Sequence, residues 1–250
     1  VGTLGADVVL NGDFEEVGVN EVVNGDFATD SDWTKQIGWG IANGKASKTL
    51  NNASYLLQSN ILTVGASYKI TFTVSDYVSG EIGLNSTFWG TDNLYSANGT
   101  YTVYAATSNA NMYIYSDANF VGSIDNVTVE EVGQEWTLTD GCSITAQGAR
   151  ILSDGAYQDI VQNNVLVVGD TYEVEYEITE YVSGSLQTTS ILGSIVLKTT
   201  VGVHKFYEVA TGTNLQFKRT GGVTDITIDN IKVKRLTGDD TPRIDYTDGG

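Results

Sequence analysis

Cysteine, histidine and proline are almost missing from this chain of 250 residues, which has one of each. The single Cys142 excludes an intrachain disulfide and a cysteine-built zinc cluster. The single His204 excludes histidine-rich metal sites and speaks against a Ser-His-Asp triad. No apolar run is long enough to cross a bilayer as a helix. No sustained helical period is found either. Basic side chains are scarce: 13 Lys and Arg face 31 Asp and Glu, a net charge of −18. Such a field repels nucleic acid and anionic membrane. Neutral polysaccharides, cations and basic partners stay open. The charge also has a plain reading as a solvated surface that keeps the protein dispersed.

What is abundant is strand chemistry: Val, Ile, Thr and Tyr fill the long runs. In Tyr68-Lys-Ile70-Thr-Phe72-Thr-Val74 apolar and polar residues alternate strictly, the period of a half-buried strand. Tyr172-Glu-Val174-Glu-Tyr176-Glu-Ile178 repeats the pattern with the outward set changed to Glu173, Glu175 and Glu177. That ladder reads as a solvated or edge-protecting face, with a cation or basic partner as the lesser reading. Asn43-Gly44 is a two-residue hairpin signal.

The repeat extends over most of the chain. Asp32-Trp33-Thr34 matches Glu135-Trp136-Thr137, Leu62–Tyr68 matches Leu166–Tyr172, Asp76–Gly80 matches Glu180–Gly184, and Ile124–Val127 matches Ile228–Ile231. Two homologous β-sandwich (jelly-roll) modules are therefore expected, over residues 23–132 and 133–236. Residues 1–22 would be an added strand or the scar of a truncated neighbour, carrying a spare Asn11-Gly12-Asp13-Phe14, and 237–250 a polar linker. A single barrel is the competing all-β architecture.

The opening Asn24-Gly25-Asp26-Phe27, then Trp33, then the closing Gly122-Ser-Ile-Asp125-Asn-Val127 resemble carbohydrate-binding modules of families 4, 9 and 22. The second module keeps Trp136 and the closing strand but lacks the opening motif in its own segment. Residues 24–33, with the tail Pro242-Arg-Ile-Asp-Tyr246, are also similar to bacteriophage tail-fibre and structural proteins. These resemblances imply an extracellular or virion-associated protein that binds a polysaccharide or cell-surface glycan. Other virion proteins or an attached domain are further partners they imply.

Sugars lie on aromatic rings, so a glycan groove needs outward Trp or Tyr. Aromatics shared by both modules are expected in the structural framework: Trp33/Trp136, Tyr68/Tyr172, Tyr77/Tyr181 and Tyr104/Tyr207. Trp39, Trp89, Tyr113 and Tyr115 align with Cys142, Leu192, Gln216 and Lys218, and so belong to the first module alone. They are the candidate groove; the plainer reading packs them under loops. Asp125 and Asp229 share parity with inward Val127 and Ile231, a costly place for a carboxylate without a partner. The family resemblance implies a structural calcium there, held by Asp125 with groups near Asn24 and Asp26, and by Asp229 in the second module. Against it stands a β-bulge that turns both carboxylates onto backbone N–H groups. The functional expectation is non-catalytic glycan binding, mainly by the first module. The alternative is a ligand-free spacer of a virion or tail fibre. No catalytic signature accompanies the carboxylates, so an enzyme is not expected.

Overall fold

The computed structural model describes residues 3–49, 52–90, 92–189 and 195–237. Statements below concern these residues; Leu192 and the 238–250 tail lie outside them.

The chain is all-β apart from one helical turn, Ser86–Trp89. It divides into two compact units. The first takes the described residues within Val1–Phe14, Glu135–Cys142 and Gln147–Gly250; the second takes those within Glu15–Gln134 and Ser143–Ala146. Each unit is a sandwich of two antiparallel sheets. In the second unit one sheet runs Gly99–Ala106, Ser67–Ser79, Val121–Val132, Lys45–Lys48, Trp39–Ala42, with Val17–Asn20 also paired to Val121–Val132. The facing sheet runs Thr34–Lys35, Ser54–Gln58, Met112–Ser116, Ile82–Leu84, Asn93–Tyr95. Ile70, Phe72, Val74, Ile124 and Val129 from the first sheet meet Leu56, Ile82, Leu84, Met112 and Ile114 from the other in one core. Alternation dictates this: each strand turns its apolar parity inward and its polar parity out. The hairpin at Asn43-Gly44 has both residues at positive φ, 55° and 71°, with Ala42 opposite Lys45.

The first unit repeats the plan. Gly148–Ser153, Thr224–Thr237, Thr171–Ser183 and Gly202–Val209 form one sheet in that order. The facing sheet runs Thr137–Leu138, Asp159–Gln162, Leu215–Arg219, Leu186–Thr188. Tyr176 of one sheet and Phe217 of the other meet at 6.3 Å between ring centroids.

Within residues 1–22, Thr3–Asp7 is an added strand of the first unit and Val17–Asn20 one of the second. Thr3–Asp7 pairs with Thr224–Thr237, and the spare motif supplies the opening that the second repeat lacks in its own segment. The two openings are built alike. Phe14 packs on Trp136 and Phe27 on Trp33, each at 5.3 Å. Trp136 Nε1 donates to the Asn11 carbonyl at 3.1 Å, and Trp33 Nε1 to that of Asn24 at 3.0 Å. Ile231 N donates to Gly12 O, and Val127 N to Gly25 O. Asp7 accepts from Val9 N and Val233 N as Asn20 accepts from Val22 N and Val129 N. Gln162 brackets Leu10 as Gln58 brackets Val23. The second repeat thus begins at the N-terminal strand and is interrupted by the whole of the first.

The other shared motifs are framework devices. Tyr68 and Tyr172, both buried, accept through their hydroxyls the N–H of Thr63 and Val167, closing the turns at Gly65 and Gly169. Gly80, at φ 79°, lies so near Phe120 that a Cβ there would sit 2.1 Å from its backbone nitrogen. Two shared tyrosines depart from the expected framework: Tyr181 and Tyr207 are about half exposed, and Tyr207 donates to Glu173. The glutamate ladder is not a bare one. Lys205 bridges Glu173 at 2.8 Å and Glu175 at 3.2 Å, Lys232 joins Glu175 at 3.1 Å, and Asn230 donates to Glu177.

Cys142, the counterpart of Trp39, is buried and donates through Sγ to Asp159 O at 3.3 Å. Burial pushes its thiol up to about 11. A soluble aromatic disulfide reagent at neutral pH is therefore expected to label the native protein far more slowly than the unfolded chain. Equal rates, read by absorbance with and without denaturant, would contradict this burial.

Candidate functional site

The outward parity of the five-stranded sheet carries the aromatic side chains. Met112 and Ile114 point into the core, so Tyr113 and Tyr115 stand on the opposite face, half-buried. Tyr113 lies opposite Leu57, and Tyr115 opposite Tyr55. The helical turn after Asn85 brings Phe88 over this face, stacked on Tyr113 at 4.0 Å and 13°. Tyr55 meets both rings edge-on, Phe88 at 5.4 Å and Tyr113 at 5.1 Å, geometries that aromatic quadrupoles favour. Asn111 Nδ2 donates to the Tyr113 hydroxyl at 3.0 Å, which holds that ring in place.

Beside the cluster an open cleft of about 240 Å³ is lined by Gln36, Tyr55, Asn85, Thr87, Phe88 and Tyr115, among others. Gln36 Oε1 accepts from Tyr55 N. The Asn85 side-chain oxygen is buried without a hydrogen-bond partner. An unmet acceptor in a cleft wall is costly and invites a donor. The combination is a ring plane with amides at its rim. It can hold a flat, hydroxylated ligand by C–H contact and directed hydrogen bonds, and it has no nucleophile–base pair.

The four expected groove residues do not assemble. Tyr113 and Tyr115 lie together on the outward face. Trp89 does not line it: it is 3% exposed and donates through Nε1 to Tyr113 O at 3.0 Å, bracing the strand from beneath. Trp39 belongs to the other sheet, buried at 6.2 Å from Phe120. Trp89 closes the helical turn Ser86–Trp89 as its one buried residue, beside the half-buried Phe88. Sequence reasoning missed Tyr55 and Phe88. Tyr55 had a signal: it shares outward parity in Ser54–Gln58, and its counterpart in the repeat is Asp159, not a ring.

The proposed calcium ligands are otherwise engaged. Asn24 Nδ2 donates to Thr29 O and Ser31 O, and its Oδ1 accepts from Thr29 N. Asp26 Oδ1 accepts from Ala28 N at 3.2 Å. Asp125 and Asp229 sit where the pairing register shifts, followed by Asn126 and Asn230 at φ 52° and 50°. That bulge takes both carboxylates off the inward face, and each accepts the next N–H, at 2.6 and 2.8 Å. Among the described residues no three His, Cys, Asp or Glu side chains come together as a metal site. With these oxygens on backbone N–H groups, chelator is expected to leave the melting temperature unchanged; a fall on adding EDTA would show the ion.

No helix among the described residues is long and apolar enough to cross a membrane. No family model and no curated protein matches the chain. Among solved structures, the N-terminal CBM22-1-CBM22-2 tandem domain of Paenibacillus barcinonensis Xyn10C aligns over 94% of this chain and 100% of its own, at 10% identity and TM-score 0.32. AerE from Microcystis aeruginosa aligns over 77% and 91%, at 11% identity and TM-score 0.17. At these scores neither alignment bears on function.

Proposed function

We propose that this protein binds a neutral glycan without acting on it, through the aromatic face of its second unit. The reading is carried by one observation: Tyr55, Phe88, Tyr113 and Tyr115 cover the outer face of a sheet, and three of them, Tyr55, Phe88 and Tyr115, border a cleft with Gln36 and Asn85. Strand alternation sends polar residues to an outer face, and a cluster of rings there needs an apolar surface to cover. The chain's charge of −18 disfavours an anionic glycan and is indifferent to a neutral one. An open cleft of this kind releases its ligand readily, so binding is expected to be weak, in the micromolar to millimolar range.

The test is affinity electrophoresis in gels of neutral polysaccharides, using the whole chain. Tyr115 contributes to the cleft wall and is half-buried, so Tyr115→Ala is expected to weaken binding about tenfold, or ~1.4 kcal/mol. Its melting temperature should stay near that of the wild type. Tyr113→Ala, which also frees the stacked Phe88, should do at least as much. Unaltered migration of both variants defeats the reading. Silence of the wild-type protein across neutral glycans favours a spacer with no ligand of its own.

A further inference from the structure

The same face of the other sandwich carries different chemistry. Asp159 stands where the second unit has Tyr55, and Gln216 and Lys218 stand where it has Tyr113 and Tyr115. Asp159 is 6% exposed, a costly place for a carboxylate unless it is hydrogen-bonded. Its Oδ2 accepts from the Tyr157 hydroxyl at 2.9 Å and from Gln216 Nε2. Gln216 Nε2 also donates to the Tyr157 hydroxyl at 2.7 Å, and Thr189 donates to Gln216 Oε1. Both partners of the carboxylate are therefore themselves fixed. Its other oxygen, Oδ1, accepts from no described group. Asp159 and Gln216 line a cleft of about 290 Å³ together with Thr137, Val161, Asn163 and Asn214. Asn214, which lines the cleft, accepts the N–H of Asn164 through Oδ1 at 3.1 Å. At the edge the Tyr157 ring is 53% exposed, with Lys218 Nζ 5.8 Å from its centroid.

We propose that this cleft is a second saccharide site, which takes a short neutral sugar by hydrogen bonding to Asp159, Asn163 and Asn214. Lys218 stands opposite Asp159 in the strand register, so a cation flanks the one carboxylate that lines the cleft. The lining offers a carboxylate and side-chain amides at close quarters, groups that match the hydroxyls of a pyranose. Its volume is at the small end of ligand pockets, roughly 300 Å³, which suits a sugar or two and not a polymer tract. Nothing of this cleft depends on the aromatic face of the other unit, and the two sites can fail separately.

The test is an NMR titration of the isotope-labelled whole chain with glucose, xylose, mannose and galactose and their short β-linked oligomers. The expected result is saturable shifts of the amides of Thr137, Asp159, Asn163 and Asn214 with at least one sugar. Asp159→Asn, which keeps the shape and loses the charge, should weaken that binding about tenfold or more. Asn163→Ala changes an exposed side chain, keeps the fold, and should weaken it several-fold. Tyr115→Ala should leave it unaltered. The proposal is overturned if no sugar moves these amides, if shifts appear only around Tyr55 and Tyr115, or if Asn163→Ala binds as the wild type does.

Discussion

Phe14→Ala is expected to destabilise the first unit by about 3–5 kcal/mol while leaving the second unit unmoved. Phe14 is 3% exposed, and its ring packs on Trp136. Truncation removes the ring's transfer free energy and leaves a cavity between the N-terminal motif and the body of the second repeat. Phe14 and its ring partner Trp136 both lie within the first unit, so the loss should be local. Hydrogen exchange separates the outcomes. Amides of Thr171–Ser183 and Thr224–Thr237 should lose protection, while those of Ser67–Ser79 and Val121–Val132 keep theirs. Equal loss in both sets, or none in either, would show that Asn11–Phe14 does not belong to the second repeat. Phe27→Ala is the mirror experiment and should expose the other set.

Gly25→Ala and Gly12→Ala should each cost several kcal/mol, more than a usual surface substitution by a wide margin. A Cβ on Gly25 would fall 2.0 Å from Val127 O, and one on Gly12 2.0 Å from Ile231 O. These are backbone atoms, held by the hydrogen bonds from Val127 N to Gly25 O and from Ile231 N to Gly12 O, so they cannot swing aside. The opening loop must retreat from the closing strand and lose that bond and the Phe–Trp contact behind it. Gly40→Ala is the control. Nothing lies within 4 Å of a Cβ at Gly40, and the substitution should be nearly silent. Melting curves of the three variants read the difference; a Gly25→Ala melting within a degree or two of Gly40→Ala would refute the close approach.

The sandwiches were legible because alternation over Tyr68–Val74 and Tyr172–Ile178 fixes which face goes inward, and duplication confirms each strand twice. The outward placement of Tyr113 and Tyr115 followed from the same parity. Trp89 was not legible, because its lack of an aromatic counterpart marked it as outward, whereas it is buried at the end of a helical turn. Asp125 misled for a separate reason. One bulged residue flips every side chain before it relative to those after, and a lone Asn126 at positive φ is a faint sign in sequence. The ownership of Asn11–Phe14 was hidden because the residues it serves stand more than a hundred positions away. A motif's sequence neighbour is a poor guide to its partner once one repeat interrupts another.

That interruption has a consequence for how the chain comes together. Within the second unit Val17 lies opposite Val132, so folding this unit sets its entry and exit side by side. To the host fold, the inserted sandwich then behaves as a tight staple instead of a long floppy excursion. Bringing Phe14 to Trp136 would otherwise carry the entropy of closing that excursion. The insert has already met this cost with its own strand pairing. Assembly therefore has a natural sequence, insert before host, and Thr3–Phe14, made ahead of the insert, is among the last segments to find its place.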